Sequence, residues 1–122
     1  MTNTEFRVLF FQKLAQLILW AEASGIRLMP HSLYRSADEQ FQLYQKGRTA
    51  PGKIVTNRDG YKKVSSHQRW RAADLVIIGE DGRLHWEASA RYALLGERWK
   101  NLGGRWGGDF KTPPLDLGHF EL

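Results

Sequence analysis

The chain has 122 residues, of which 42% are hydrophobic, 12% aromatic and 25% charged, the composition of an ordinary folded protein and not of a disordered or collagen-like one. With 18 Lys and Arg against 13 Asp and Glu and a pI near 9.7, it favours anionic partners such as cell-wall polymer, lipopolysaccharide or nucleic acid. It has no cysteine, so disulfides are excluded and any metal must be held by His, Asp or Glu.

The length is that of one domain, residues 1–122, large enough to bury a core without covalent staples. Phe6, Leu9, Phe10, Leu14, Leu17, Ile18 and Ala21 recur at helical spacing behind a Thr2 to Glu5 capping box, which predicts a helix over 3–24 ended by Gly25. The same segment does not read as a leader or an anchor. Glu5, Arg7, Gln12 and Lys13 interrupt the apolar run, which falls far short of the roughly 18 unbroken residues of a membrane span. Residues 26–34 alternate loosely and predict a strand, with Pro30 pointing to a sheet edge or a bulge. A second capping box, Ser36 to Glu39, opens a short helix that stops at Gly47.

Residues 48–66 are polar and carry Pro51, Gly52, Asn57, Asp59 and Gly60, a long surface loop of the kind that borders active sites. The positive charge is scattered along the chain, with no Lys/Arg run and no nucleic-acid motif. Residues 72–78 form an apolar run broken only by Asp74, the pattern of a buried strand, and a turn follows at 79–82. Tyr92, Leu95, Trp99 and Leu102 share one face of a helix over 88–102 that stops at Gly103-Gly104. The Gly/Pro-rich remainder ends in a short strand-like His-Phe-Glu-Leu.

Two segments carry chemistry. Ser65-Ser-His-Gln-Arg-Trp-Arg-Ala-Ala-Asp74 places His67 before the apolar strand and Asp74 within it, and Asp116-Leu-Gly-His119 lies near the C-terminus. A carboxylate in a buried strand needs a cationic or metal partner. His67, Asp74 and His119 together offer two imidazoles and one carboxylate, a set that suits zinc and leaves a fourth position for water. The odd separation of His67 from Asp74 would put them on opposite faces of a straight strand, so residues 68–71 must turn or bulge. His31 and His85 have no partner spacing and read as ordinary histidines. On spacing alone Asp116 is a turn residue after Pro113-Pro114, and Arg35 a surface cation before a helix cap.

Ser65-x-His67-x4-Ala72-x-Asp74 followed by Asp116-x-x-His119-Phe-Glu resembles the paired signature of a family of zinc peptidases. It includes D-alanyl-D-alanine carboxypeptidases, vancomycin-resistance dipeptidases and the L-alanyl-D-glutamate endopeptidases of phage lysins. Tyr34-Arg35-Ser36 with Gln40, Tyr44 and Gly47-Arg48 is similar to the family's arginine segment, and Gly103-Gly-Arg-Trp-Gly-Gly-Asp109-Phe110 to the run before the last ligand in phage-type members. One departure is Trp70, where the family usually has glycine; it bears on the neighbouring groove and not on the ligands. The residue three before the last ligand is Asp116, as in lysin-type endopeptidases, where the carboxypeptidases and dipeptidases use Glu.

The resemblance implies an α+β fold of hedgehog or DD-peptidase type, with a small antiparallel sheet carrying the zinc site and helices packed on one side. It implies Zn2+ held by His67, Asp74 and His119, Asp116 as general base and Arg35 polarising the scissile carbonyl, with Ser65, Gln40, Trp106 and Asp109 as candidate substrate contacts. The expected activity is L-alanyl-D-glutamate endopeptidase action on peptidoglycan stem peptides. The rivals are a D-alanyl-D-alanine carboxypeptidase and a non-catalytic basic module for wall polymer or nucleic acid, which the five tryptophans would suit. We expect a monomer made in the cytoplasm without a signal peptide or membrane anchor, released to the wall through a helper such as a holin, with no nucleic-acid partner.

Overall fold

The computed structural model describes residues 1–112 and 115–122; the turn expected at Pro113-Pro114 lies outside the described residues. Helix α1 (Asn3–Ala23) starts where the capping box predicts, with Thr2 Oγ1 accepting from the Glu5 N–H and Glu5 returning the bond to Thr2 N–H. Its inward stripe is Phe10, Leu14, Leu17 and Ala21, all buried. Strand β1 (Arg27–Ser32) follows, then helix α2 (Ala37–Gln45) with the Ser36/Glu39 box intact. After the long loop come a 3₁₀ turn (Ser66–Arg69), strand β2 (Ala72–Ile78), helix α3 (Ser89–Asn101) and strands β3 (Arg105–Trp106) and β4 (His119–Glu121).

The four strands form one antiparallel sheet in the order β1-β2-β4-β3. β1 is an edge strand and its register shifts between Pro30 and Ser32, the two positions at which a residue without an N–H is tolerated. Along β2, Ala73, Leu75 and Ile77 face the helices and join Tyr92, Leu95, Trp99 and Phe120 in the core. The Tyr92 hydroxyl, buried there, accepts from the Ile77 N–H at 3.0 Å. α1 and α3 both pack into this core, on the face of the sheet opposite Asp74. β3 was not predicted: two residues cannot display a period, and its pairing depends on β4, which arrives 13 residues later.

The turn between His67 and Asp74 has the bend that their spacing demands. Ser65 and Gln68 cap the 3₁₀ turn, and it ends at Trp70 with φ 57° and ψ 38°, the one non-glycine residue with positive φ among those described. An L-residue in this left-handed region is disfavoured by roughly 1–2 kcal/mol, and the side chain offsets this by packing. Its indole stacks on Tyr34 with centroids 4.9 Å apart, and the Arg7 guanidinium lies 5.3 Å from the ring. Trp70→Ala should therefore be less stable than Trp70→Gly, since both lose the stack but only alanine keeps the backbone strain. The expected gap is about 1 kcal/mol, or roughly 3–6 °C in thermal midpoint. An alanine variant melting at or above the glycine variant would show that the strain is absent.

Candidate active site

The site is assembled across the sheet. In the strand register Ser32 faces Asp74, and Asp74 faces His119, so three side chains from three strands point to the face away from the helices. The 3₁₀ turn adds His67 above them. His67 Nε2 lies 3.2 Å from Asp74 Oδ2, His119 Nδ1 lies 2.9 Å from Asp74 Oδ1, and one ligand atom from each of the three residues falls within 4.8 Å of the others.

The second nitrogen of each imidazole is already engaged. His67 Nδ1–H donates to the Leu33 carbonyl at 2.7 Å, which leaves the Nε2 lone pair aimed at the site. His119 Nε2 is 2.7 Å from Glu121 Oε1, which leaves Nδ1 toward Asp74. Glu121 is itself held by Ser66 Oγ and by Arg105, each at 3.4 Å. Two oriented imidazole nitrogens and a carboxylate oxygen, each histidine backed by an acceptor, form a donor set that fits zinc with a position left open for a further ligand.

The electrostatics follow from this packing. Burial disfavours ionised Asp74, but hydrogen bonds from His119 and His67 and their charges outweigh it and hold the carboxyl well below its usual range. Burial likewise opposes a charged His119, and its bonds to Asp74 and Glu121 reverse that, raising its pKa to about 9. A cation bound at Nδ1 must therefore displace a proton. Glu121 is lowered by the His119 bond and charge against the opposing effect of burial.

Asp116 stands at the rim of this cluster with Oδ2 4.0 Å from His119 Nδ1. Its carboxyl is pushed up, first by desolvation in the cleft and then by the Asp74 charge, with His119, His67 and Arg35 pulling the other way. Backbone bonds fix it from both sides: Asp116 N–H donates to the Gly107 carbonyl at 3.1 Å and the His119 N–H to the Asp116 carbonyl at 3.2 Å. A side chain at 107 would collide with the Asp116 carbonyl and with His119, so only glycine lets the two segments approach.

Arg35 is braced by three partners, with bonds to Gln40 Oε1 at 2.8 Å, Ser32 Oγ at 3.1 Å and Asp74 Oδ2 at 3.2 Å. Gln40 is fully buried behind the cleft wall, and its Nε2 donates to Thr56 Oγ1 and the Arg58 carbonyl. Ser65, Trp106 and Asp109 line the cleft. Ser65 Oγ accepts from the His67 N–H, the Trp106 indole N–H donates to the Leu117 carbonyl, and Asp109 pairs with Lys100 at 3.0 Å. Of the two other histidines, His31 lines the cleft edge-on to Trp86, and His85 pairs with Asp81 in the turn after β2. Glu121 was not singled out from the sequence. Its signal was there: two residues after His119 in a strand, it must share that residue's face.

The whole cluster opens into a cleft of about 1530 Å³ between the 46–65 loop and the segment around Trp106 and Phe110. Among the described residues no helix is long and apolar enough to cross a membrane.

Known proteins are similar to this chain in sequence and in fold. The peptidoglycan L-alanyl-D-glutamate endopeptidase CwlK of Bacillus subtilis is 33% identical over 110 residues, which cover 84% of this chain and 64% of CwlK. The chain thus spans less than two thirds of that relative's length. The crystal structure of the L-Ala D-Glu endopeptidase ChiX of Serratia marcescens is similar with a TM-score of 0.56 and 25% identity, over 80% of this chain and 67% of ChiX. The vancomycin-resistance D,D-pentapeptidase VanY, solved in complex with Zn(II), shares the fold at 17% identity with a TM-score of 0.64, over 92% of this chain and 69% of VanY. A peptidase M15 family model, D-alanyl-D-alanine carboxypeptidase, matches residues 59–122, a span that holds His67, Asp74, Asp116 and His119, and the chain belongs to this family.

Proposed function

We propose that this chain is a zinc-dependent endopeptidase that hydrolyses the L-alanyl-D-glutamate bond of peptidoglycan stem peptides, with residues 1–122 acting as one catalytic domain. The observation that carries the reading is Asp116, an aspartate three residues before His119 whose carboxylate stands at the rim of the donor set. CwlK and ChiX, each an endopeptidase for this bond, support the choice of substrate.

His67, Asp74 and His119 would hold the zinc, which when bound supplies a Lewis acid for the scissile carbonyl and acidifies water. Asp116 takes a proton from the attacking water at Oδ2 and returns it to the leaving amine; its pKa, raised by desolvation and by the Asp74 charge, makes it a better base than an aspartate at its ordinary value. Arg35, held beside Asp74, stabilises the oxyanion developing on the substrate, and its three partners remove the cost of ordering it during the reaction. Glu121 keeps the His119 proton on Nε2, away from the donor face.

Mass spectrometry of purified peptidoglycan after digestion tests the reading. The expected products are stems with a new N-terminal D-glutamate, absent when a chelator is added. Stems shortened only by a terminal D-alanine would instead establish a D,D-carboxypeptidase.

A further inference from the structure

We infer that the loop over residues 46–63 is a recognition wall for acidic groups of the substrate, selecting stem peptides whose carboxylates are free over those in which they are amidated. The inference rests on the proposed function and names a feature of its substrate.

The charge of the chain is concentrated there. Residues 46–63 hold six of the 18 basic side chains and one of the 13 acidic ones, leaving 12 of each elsewhere. The whole net charge of +5 therefore belongs to this loop. No run longer than Lys62-Lys63 reveals this, because glycine, proline, polar and apolar residues separate the other basic residues. Folding gathers Lys46, Lys53, Arg58 and Lys63 onto one side of the cleft, with Arg35, His67 and Asp74 on its floor.

The two walls differ in how their cations are used. On the far wall Lys100 is paired with Glu97 at 2.8 Å and Asp109 at 3.0 Å, and Arg105 with Glu121 at 3.4 Å, which leaves Lys111 as that wall's one cation without a salt bridge among the described residues. On the loop wall Lys46, Lys53, Arg58 and Lys63 form no salt bridge with a carboxylate among the described residues; the Arg58 guanidinium donates to the Val64 carbonyl. The single acid of the loop, Asp59, caps the N–H groups of Tyr61, Lys62 and Lys63 at 3.0, 2.9 and 2.9 Å. Unneutralised cations on one wall of a low-dielectric cleft attract anionic ligand groups and orient them.

The wall is also anchored to the catalytic floor. Gln40, which accepts from Arg35, donates to Thr56 and to the Arg58 carbonyl, and at Gly60 a side chain would strike Gln40 and the Ala37 carbonyl. One buried amide thus ties Arg35 to the loop. A stem peptide lying across the site presents carboxylates on both its glutamate and the residues that follow, and the wall stands within the same cleft as the bond to be cut.

The test uses two disaccharide-peptide muropeptides that differ only in whether the glutamate α-carboxyl is free or a carboxamide. Steady-state kinetics of the wild type should show KM lower for the free acid by roughly tenfold, the worth of a charge-assisted contact, and the ratio should shrink at 0.5 M salt. In K53Q/K63Q the ratio should fall below about threefold on the same reasoning, with zinc content and thermal midpoint kept as checks on folding. K100Q, whose charge is already matched on the far wall, should keep the wild-type ratio. Equal KM values for both substrates in the wild type, or an unchanged ratio in K53Q/K63Q, would overturn the inference while leaving the endopeptidase reading in place. Failure to cut either substrate between L-alanine and D-glutamate would overturn that reading and this inference with it.

Discussion

Alanine at His67, Asp74 or His119 is expected to reduce bound zinc from about one per chain to a small fraction, because a site with two protein ligands in place of three is incomplete. Activity should fall with it. Asp74→Ala should also cost folding stability in the metal-free protein, since it leaves Arg35 and two imidazoles facing one another in a site only 14% accessible at the aspartate side chain. Glu121→Gln belongs between these variants and the wild type. It keeps a partner for His119 Nε2 but loses the charge that orients the ring, so zinc affinity should drop by roughly 10- to 100-fold without vanishing. Metal analysis after dialysis, together with chelator competition, reads all four. Full zinc occupancy in every alanine variant would refute the assignment of the donor set.

Asp116→Asn should separate metal binding from catalysis. The side chain keeps its size, its backbone bonds to Gly107 and His119 stay in place, and with Oδ2 4.0 Å from His119 Nδ1 the carboxylate is not one of the three clustered donors. Zinc content and thermal midpoint should therefore stay near wild type while turnover falls by roughly 10² to 10⁴, the usual worth of a general base. Asp116→Glu should retain more activity than the asparagine variant. Loss of zinc in Asp116→Asn would make this residue a ligand or a ligand support, and cleavage at the wild-type rate would place the base elsewhere.

Much of the architecture is legible in the sequence because it is local. Two capping boxes, a helical stripe of apolar residues and an apolar run bounded by turn residues each act over a few neighbouring positions, and each produced the element it predicts, α1, α2 and β2. The order of the two motifs was visible too, and with it the family and an α+β sheet with helices on one side. Even the bend after His67 followed from an odd spacing, and the glycine-to-tryptophan departure already put the bulky Trp70 in it; only the structure shows the stack on Tyr34, which joins segments far apart in the chain.

What the tertiary structure decided is everything that depends on who faces whom across the sheet and the cleft. The β2–β4 register brings Asp74 opposite His119, and β1 adds Ser32 to the same row. Only then does Arg35 acquire the partners that brace it, and only then does Glu121 stand behind His119. The 46–63 loop is the clearest case. Its charges look scattered along the chain, and they become one wall because Gln40 and Asp59 hold the backbone in a shape that no local period encodes. Sequence patterns record the conformational preferences of neighbours, whereas pairing between strands and loops is fixed by burial and hydrogen bonding between residues tens of positions apart, and that is the level at which this site is built.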